Sequence, residues 1–405
     1  MFDTGNTAFM LVATSLVMLM TPGLAFFYGG LVGRKNVLAI MMQSYVSMGV
    51  TTIVWWAVGY SLCFSGDVHG ITGNLDQAFL RGVDLNSPWP GEPTIPLFVF
   101  FAYQMMFAII TPALITGAFA NRIRFRAYVL FLVAWLLFVY FPFVHMVWGG
   151  GLLAQWGVLD FAGGIVVHAT AGMAALASVF YVGRRRVADA GMHNIPLVAL
   201  GTGLLWFGWY GFNAGSELKV DAVTGQAFIN TDIAASFAGP VWMLMTWRFE
   251  KHVKFSGLLT GAVAGLATIT PCAGYVTATT AAIVGTAAAV VCYLAVSLKN
   301  RLKWDDALDV WGVHGVGGVL GTIALGVFAT LAVNAHGADG LLAGNSSFFF
   351  KQIVAVLGAS AWAFAFTYGV LFAIDKITPV KVSEADETAG LDTALHSEQA
   401  YDLPT

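Results

Sequence analysis

Of 405 residues, 58% are hydrophobic and 10% are charged. A water-soluble domain of this length needs far more surface charge, so the composition excludes one and makes the bilayer the solvent. The formal net charge of −3 argues nothing about nucleic acid, which is not expected as a partner.

In chain order, apolar runs of bilayer-crossing length, about 20 residues at helical rise, predict eleven spans: 7–31, 37–64, 95–120, 127–147, 161–182, 196–214, 231–248, 256–273, 277–298, 309–332 and 348–374. The runs are continuous rather than alternating, which marks helices and not barrel strands. The expected class is an all-α integral membrane protein. Between the second and third spans, roughly 65–94, Gly, Pro, Asn and Asp mark an irregular loop that lids one face. No basic residue precedes Arg34, so residues 1–15 do not read as a signal peptide. Cys63, Cys272 and Cys292 lie within or at the ends of spans. Their odd number and spacing predict neither a disulfide framework nor a metal site. After Lys381 the sequence turns acidic and loses its apolar period, dividing the chain into a membrane domain (1–380) and a cytoplasmic tail (381–405).

Basic residues set the orientation. With the N-terminus outside, the inner loops hold Arg34 and Lys35; Arg122, Arg124 and Arg126; Arg184 to Arg186; Arg248, Lys251 and Lys254; Lys299, Arg301 and Lys303; then Lys376 and Lys381. Those are sixteen of the 19 Lys and Arg, and only Arg81, Lys219 and Lys351 fall outside. The alternation predicts the N-terminus out and the C-terminus in.

The third and eighth spans share an Ile-Thr-Pro step (Ile110-Thr111-Pro112 and Ile269-Thr270-Pro271), and the fifth and tenth share an Asp followed by a His. A shift of five spans, being odd, makes the halves an inverted repeat of spans 1–5 and 6–10, with the site near the midplane.

His168 and His314 are the chemistry-bearing residues. Each lies in an apolar, glycine-rich stretch, DFAGGIVVHATAG from Asp160 and DVWGVHGVGG from Asp309. An ionisable ring in such a segment is costly and marks a polar path or a bound group. If both rings face one lumen, one ring N–H donates to the other, leaving polar nitrogens toward a pore or a proton relay. The residues alone also admit two core histidines bonded to carbonyls, or axial ligands to haem. Asp160 and Asp309 read as helix caps, and Asp305 and Asp306 as solvated loop acids. Trp148 precedes Gly149 to Gly151 in an outer loop. Tyr103 with Phe107, and Phe212 with Ser216, share helical faces at i, i+4. Aromatic faces attract cations, although each of these rings also reads as lipid-facing or packed. Thr270 offers a hydroxyl either to a pore or to a carbonyl freed by Pro271. Trp209, three residues before Phe212, reads as pore-adjacent support. There is no nucleophile–base or metal constellation, so an enzyme is not expected. The remaining histidines carry no claim.

The chain resembles ammonium transporters of the Amt/MEP/Rh family. DFAGGIVVHATAGMAAL from Asp160 is similar to the family's most distinctive motif. Further matches are MTPGLAFFYGGLVGRKN from Met20, FAIITPALITGAFANRIRF from Phe107, GTGLLWFGWYGFNAGS from Gly201 and DVWGVHGVGG from Asp309. The resemblance implies eleven helices, N-out, with a pseudo-twofold relation, a homotrimer with one pore per subunit, and a bacterial inner (plasma) membrane. It implies an outer recruitment site for ammonium, and for methylammonium as analogue, at Trp148, Phe107 and Ser216, with Tyr103 and Asp160 beside it. Phe107 and Phe212 correspond to a stacked gate and His168 with His314 to the pore pair. Tyr103 stands where the family often has Phe. On this reading the cation is selected outside, loses a proton, crosses as NH3 and is reprotonated inside, with net proton or charge transfer left open. GLDTALHSEQAY in the tail resembles the C-terminus through which bacterial members meet PII-type (GlnK-like) proteins. The alternative is an ammonium sensor of the same fold signalling through such a partner. Sensing members carry fused output domains, for which the tail is too short.

Overall fold

The computed structural model describes residues 1–84, 86–187 and 191–401. Residue 85 of the predicted lid and 402–405 of the predicted tail lie outside the described residues.

Helices occupy all the predicted apolar runs: α1 (Thr4–Leu31), α2 (Val37–Phe64), α3 (Leu97–Ile115), α4 (Phe125–Trp156), α5 (Gly164–Val182), α6 (Ile195–Glu217), α7 (Ala222–Met245), α8 (Phe255–Ile269), α9 (Ala278–Leu302), α10 (Trp311–Phe328) and α11 (Ser346–Asp375). Among the described residues, nine are long and apolar enough to cross a membrane, all but α7 and α8. The chain is a multi-pass, all-helical membrane protein. Helix starts fall on polar caps. Asp3 accepts from Asn6 N, Asn194 from Leu197 N, Thr277 from Thr280 N and Asn345 from Phe348 N.

α7 begins at Ala222, nine residues before the predicted start of its span at 231. The capping box of Asp221 with Thr224 starts it there. Gln226 and Asn230 interrupt the apolar run there, so hydropathy alone does not reach that turn. Asn230 is buried and donates to the carbonyls of Ala273 (2.8 Å) and Val276 (2.7 Å), so its polarity is satisfied inside the bundle.

The predicted irregular lid contains an antiparallel hairpin, β1 (Pro88–Trp89) with β2 (Glu92–Pro96). His145, buried in α4, pins the lid: its Nδ1 meets Cys63 O and its Nε2 meets Asp67 Oδ1, both at 2.9 Å. We call this side the hairpin face.

The opposite side is the basic face, and there the tail folds back. Val380 O accepts from Arg124 N and Val382 N donates to Arg122 O, both at 2.9 Å. Two short helices follow, α12 (Glu384–Ala389) and α13 (Leu391–His396). Glu387 accepts from the backbone N–H of Arg186 (2.7 Å) and Val187 (3.1 Å), and Asp392 from Ala39 N (2.8 Å). The acidic tail is thus held to the basic face by carboxylates on backbone N–H groups. Arg122 is more than a charge that sets orientation. It is fully buried and donates to Gly183 O (2.6 Å), Asp305 O (2.7 Å) and Ala118 O, tying three loops together. Burial pushes its guanidinium down to about 10, against the pull of Asp305.

Candidate functional site

α5 and α10 are built alike at the ends that carry the histidines. Each opens with a π-helical turn, Gly164–Ala169 and Trp311–Gly315, and each turn contains the histidine. Such turns cluster at functional positions because the extra residue re-aims side chains. Each rests on a buried carboxylate. Asp160 accepts from the N–H of Gly163 (2.8 Å), Gly164 (2.7 Å), Ile165 (2.8 Å) and Val166 (3.1 Å). Asp306 accepts from Val310 (3.1 Å) and Trp311 (2.8 Å).

Two expectations are corrected here. The cap of α10 is Asp306, not Asp309, and Asp306 is 1% exposed rather than a solvated loop acid. Asp309 has φ 60° and pairs with the buried Lys299 at 2.5 Å. Burial, against Lys299, pushes Asp306 up to about 6. The missed signal was spacing, since Asp160 to His168 and Asp306 to His314 are both eight residues.

Glycine brings the two helices together. A Cβ on Gly172 would lie 2.1 Å from both Cα and N of Gly315, so the backbones of α5 and α10 touch. His314 precedes that contact and His168 lies one turn before it. The outcome is a side-by-side pair, Nδ1 to Nδ1 at 3.2 Å, with rings 16° apart in plane and centroids 5.3 Å apart. Because the same atom faces itself, one ring donates and the other accepts, so the two neutral rings take different tautomers. Among the described residues His168 Nε2 has no protein partner.

Three cavities lie in file. At the hairpin face a pocket of about 300 Å³ is lined by residues including Phe107, Trp148 and Ser216. Below it Phe107 and Phe212 lie 4.2 Å apart at 31°, a closed aromatic pair. Next comes a lumen of only 10 Å³, bordered by Leu24, Ile110, Val167, Leu205, Trp209 and Phe212 together with both histidines. That is about one water-probe sphere, with apolar walls broken only by the imidazoles and the Trp209 indole. It leaves no room for a haem between the rings. A cavity of 740 Å³ then opens at the basic face, sharing Phe27, Val263 and His314 with the lumen.

The other predicted site residues fall around this line. Trp148 meets Phe107 edge-on at 5.9 Å and donates Nε1–H to Asp160 O at 2.8 Å. Ser216 donates to Phe212 O at 2.9 Å, which leaves its oxygen a lone pair for a further donor. Tyr103 and Asp160 stand behind the pocket wall. Asp160's oxygens are occupied by four N–H groups. The Tyr103 hydroxyl lies 2.9 Å from the carbonyl oxygens of Gly211 and Phe212 and 3.3 Å from Ser216 Oγ. Trp209 packs on His168, centroids 5.6 Å apart, and donates to Thr270 Oγ1 at 2.9 Å. Thr270 in turn donates to Leu266 O at 2.8 Å, so its hydroxyl serves the helix and the indole rather than the lumen. Sequence reasoning missed Trp89, Phe100, Gln104 and Phe161, which also line the hairpin-face pocket.

The description "Ammonium Transporter Family" belongs to the family whose profile matches residues 8–401. An ammonium transporter of Bacillus subtilis (strain 168) is 45% identical over 399 residues, covering 98% of each chain. The crystal structure of Candida albicans Mep2 superposes with a TM-score of 0.89 at 36% identity, over 95% of this chain and 88% of that one. A structure titled Sensor Amt Protein gives 0.88 at 30% identity, over 97% and 98%.

Proposed function

The chain belongs to the ammonium transporter family, and from that premise we propose that it moves ammonium nitrogen as NH3 past the paired imidazoles. The observation carrying this reading is the file of cavities, large at both faces and about one water sphere in volume at His168 and His314. As a family member it is a transport protein and not an enzyme.

A charge at the bilayer centre costs at least about 2.5–3.5 kcal/mol, and a dry lumen of this size offers it little solvation. The reading therefore separates selection from passage. Trp148 and Phe107 offer aromatic faces to the cation and Ser216 a lone pair. Nearby, Glu92, Glu217 and Asp221 surround Lys219 at 3.9, 3.8 and 3.5 Å, leaving that face net negative. The proton is released to water before the Phe107–Phe212 pair and crosses separately by way of the imidazole pair, so that each NH3 is accompanied by one charge and transport reads as current. NH3 then passes, exchanging hydrogen bonds with the imidazoles, and is reprotonated in the 740 Å³ cavity. Potassium has no proton to lose and is rejected. Eleven spans, the N-terminus outside, an inverted repeat, a homotrimer and a bacterial inner membrane complete the proposal, with a PII-type protein docking on the basic face and tail.

The test is methylammonium uptake and ammonium-evoked current in proteoliposomes. His168→Ala with His314→Ala should abolish selective transport; wild-type rate and selectivity in the double variant would refute the pore role. The likeness to the structure titled Sensor Amt Protein favours a second reading, an ammonium sensor. Ammonium binding without current would select it.

A further inference from the structure

The hairpin-face pocket has a second wall that the recruitment residues leave unused. Beside Phe107, Trp148 and Ser216, the lining includes Trp89, Phe100 and Gln104. Phe100, Gln104 and Phe107 follow one another at i, i+4 and i+7, one stripe of α3 turned to the pocket. Trp89 arrives from β1 and lies flat on Phe100, with centroids 3.8 Å apart and planes 7° apart. Gly91 is set against the indole edge, where a Cβ would come within 2.6 Å of Nε1. The hairpin therefore serves to hold one aromatic ring at the pocket mouth.

Gln104 is 8% exposed, yet among the described residues its amide oxygen has no hydrogen-bond partner. That oxygen is shut away from the pocket, so as placed it is the amide nitrogen that faces the cavity. A half-turn of the amide exchanges its oxygen and nitrogen, presenting the acceptor to the pocket. Ammonium is all donors, so a pocket that holds it needs acceptors and π faces. Ser216 supplies one acceptor, its own proton being engaged by Phe212 O.

We infer that Gln104 accepts a second hydrogen bond from the cation in this pocket, and that Trp89 closes the pocket's outer side with a further aromatic face. The inference rests on the ammonium-transport reading and adds two substrate-binding residues to it.

Ammonium-evoked current in proteoliposomes, titrated against concentration, tests it with Gln104→Leu, Gln104→Glu and Trp89→Ala. Losing one hydrogen bond to a charged group from a part-open pocket should raise the half-saturating concentration about tenfold in Gln104→Leu, with maximal current retained. Gln104→Glu should lower it severalfold. Trp89→Ala should raise it about threefold, as for one cation–π face at a wet site. Half-saturation within twofold of wild type in Gln104→Leu and Gln104→Glu overturns the role of Gln104, and the same result in Trp89→Ala overturns that of Trp89. A fall in maximal current with unchanged half-saturation also overturns the inference, since it marks a structural role. If Gln104→Leu does not fold, Gln104→Glu decides alone. No current from the wild-type protein would instead strike the transport reading itself.

Discussion

Substituting Gly172 by Ala should uncouple the histidine pair without touching either ring. The new Cβ would stand 2.1 Å from both Cα and N of Gly315. Both are backbone atoms, so no rotamer change relieves the overlap. Restoring ordinary contact at about 3.5–4.0 Å requires α5 and α10 to part by about 1.4–1.9 Å. The Nδ1 atoms, 3.2 Å apart one turn away, would then sit at roughly 4.6 Å or more, beyond hydrogen bonding. Overpacking of this kind costs about 1–3 kcal/mol, which the bundle should survive. A lumen of 10 Å³ cannot widen by that much and stay dry. Solid-supported-membrane recording should show a reduced ammonium current and a new potassium current, with melting in detergent a few degrees lower. Gly203→Ala is the matched control, because a Cβ there meets nothing within 4 Å. Gly172→Ala with wild-type ammonium current and intact potassium exclusion would refute the argument that the glycine contact sets the lumen.

Asp306→Ala should lower stability by about 2–3 kcal/mol, since it strips the buried start of α10 of two carboxylate bonds; Asp309→Ala leaves that cap in place and should cost less, and thermal unfolding in detergent ranks the two. Tyr103→Phe removes a hydroxyl from the carbonyls of Gly211 and Phe212, so about 1 kcal/mol of stability should go while ammonium current persists. For Asp305, burial alone would raise the carboxyl, but the Arg185 hydrogen bond and the Arg122 charge outweigh it and hold it below its ordinary 3.8. A depressed carboxylate stabilises fully above that ordinary value and loses its contribution as pH falls through the folded one. Acidification below about pH 4 should therefore loosen the loop at 183–187, and hydrogen exchange there should rise. Asp305→Asn should reproduce the loosening at neutral pH, read as faster tryptic cleavage at Arg184 to Arg186.

How much of this was legible depended on the range of the interaction. Apolar length alone located the helices, because in a bilayer each backbone must satisfy itself locally. His168 and His314 stood out for the same reason, as ionisable rings where lipid-compatible residues surround them. Asp306 was misread because an acid in a loop normally meets water, and nothing local says that Lys299 and the start of α10 will bury it. Gln104 and Trp89 were invisible for a different reason. Each acquires its role only when α3 and a hairpin from a distant loop meet across a cavity, and neither residue type is unusual where it stands. Tail docking was half legible. Opposite charge was apparent, but Glu387 and Asp392 bind backbone N–H groups, which no charge pattern displays.

The two histidine segments use one device twice, and the reason is geometric. An imidazole needs space in an apolar helix, and its partner must arrive within hydrogen-bond reach from a separate helix. Gly172 and Gly315 supply the approach, but helices that touch at the backbone leave little freedom to aim side chains. The π turns at Gly164–Ala169 and Trp311–Gly315 restore it, by adding a residue just where each ring must swing inward. A helix start leaves its first N–H groups without intrahelical partners, and there Asp160 and Asp306 stand as acceptors. Carboxylate, π turn, histidine and glycine contact thus go together with one arrangement, a close pair of rings bordering an apolar lumen. The eight-residue spacing, repeated in both halves, is the trace of that arrangement in the chain.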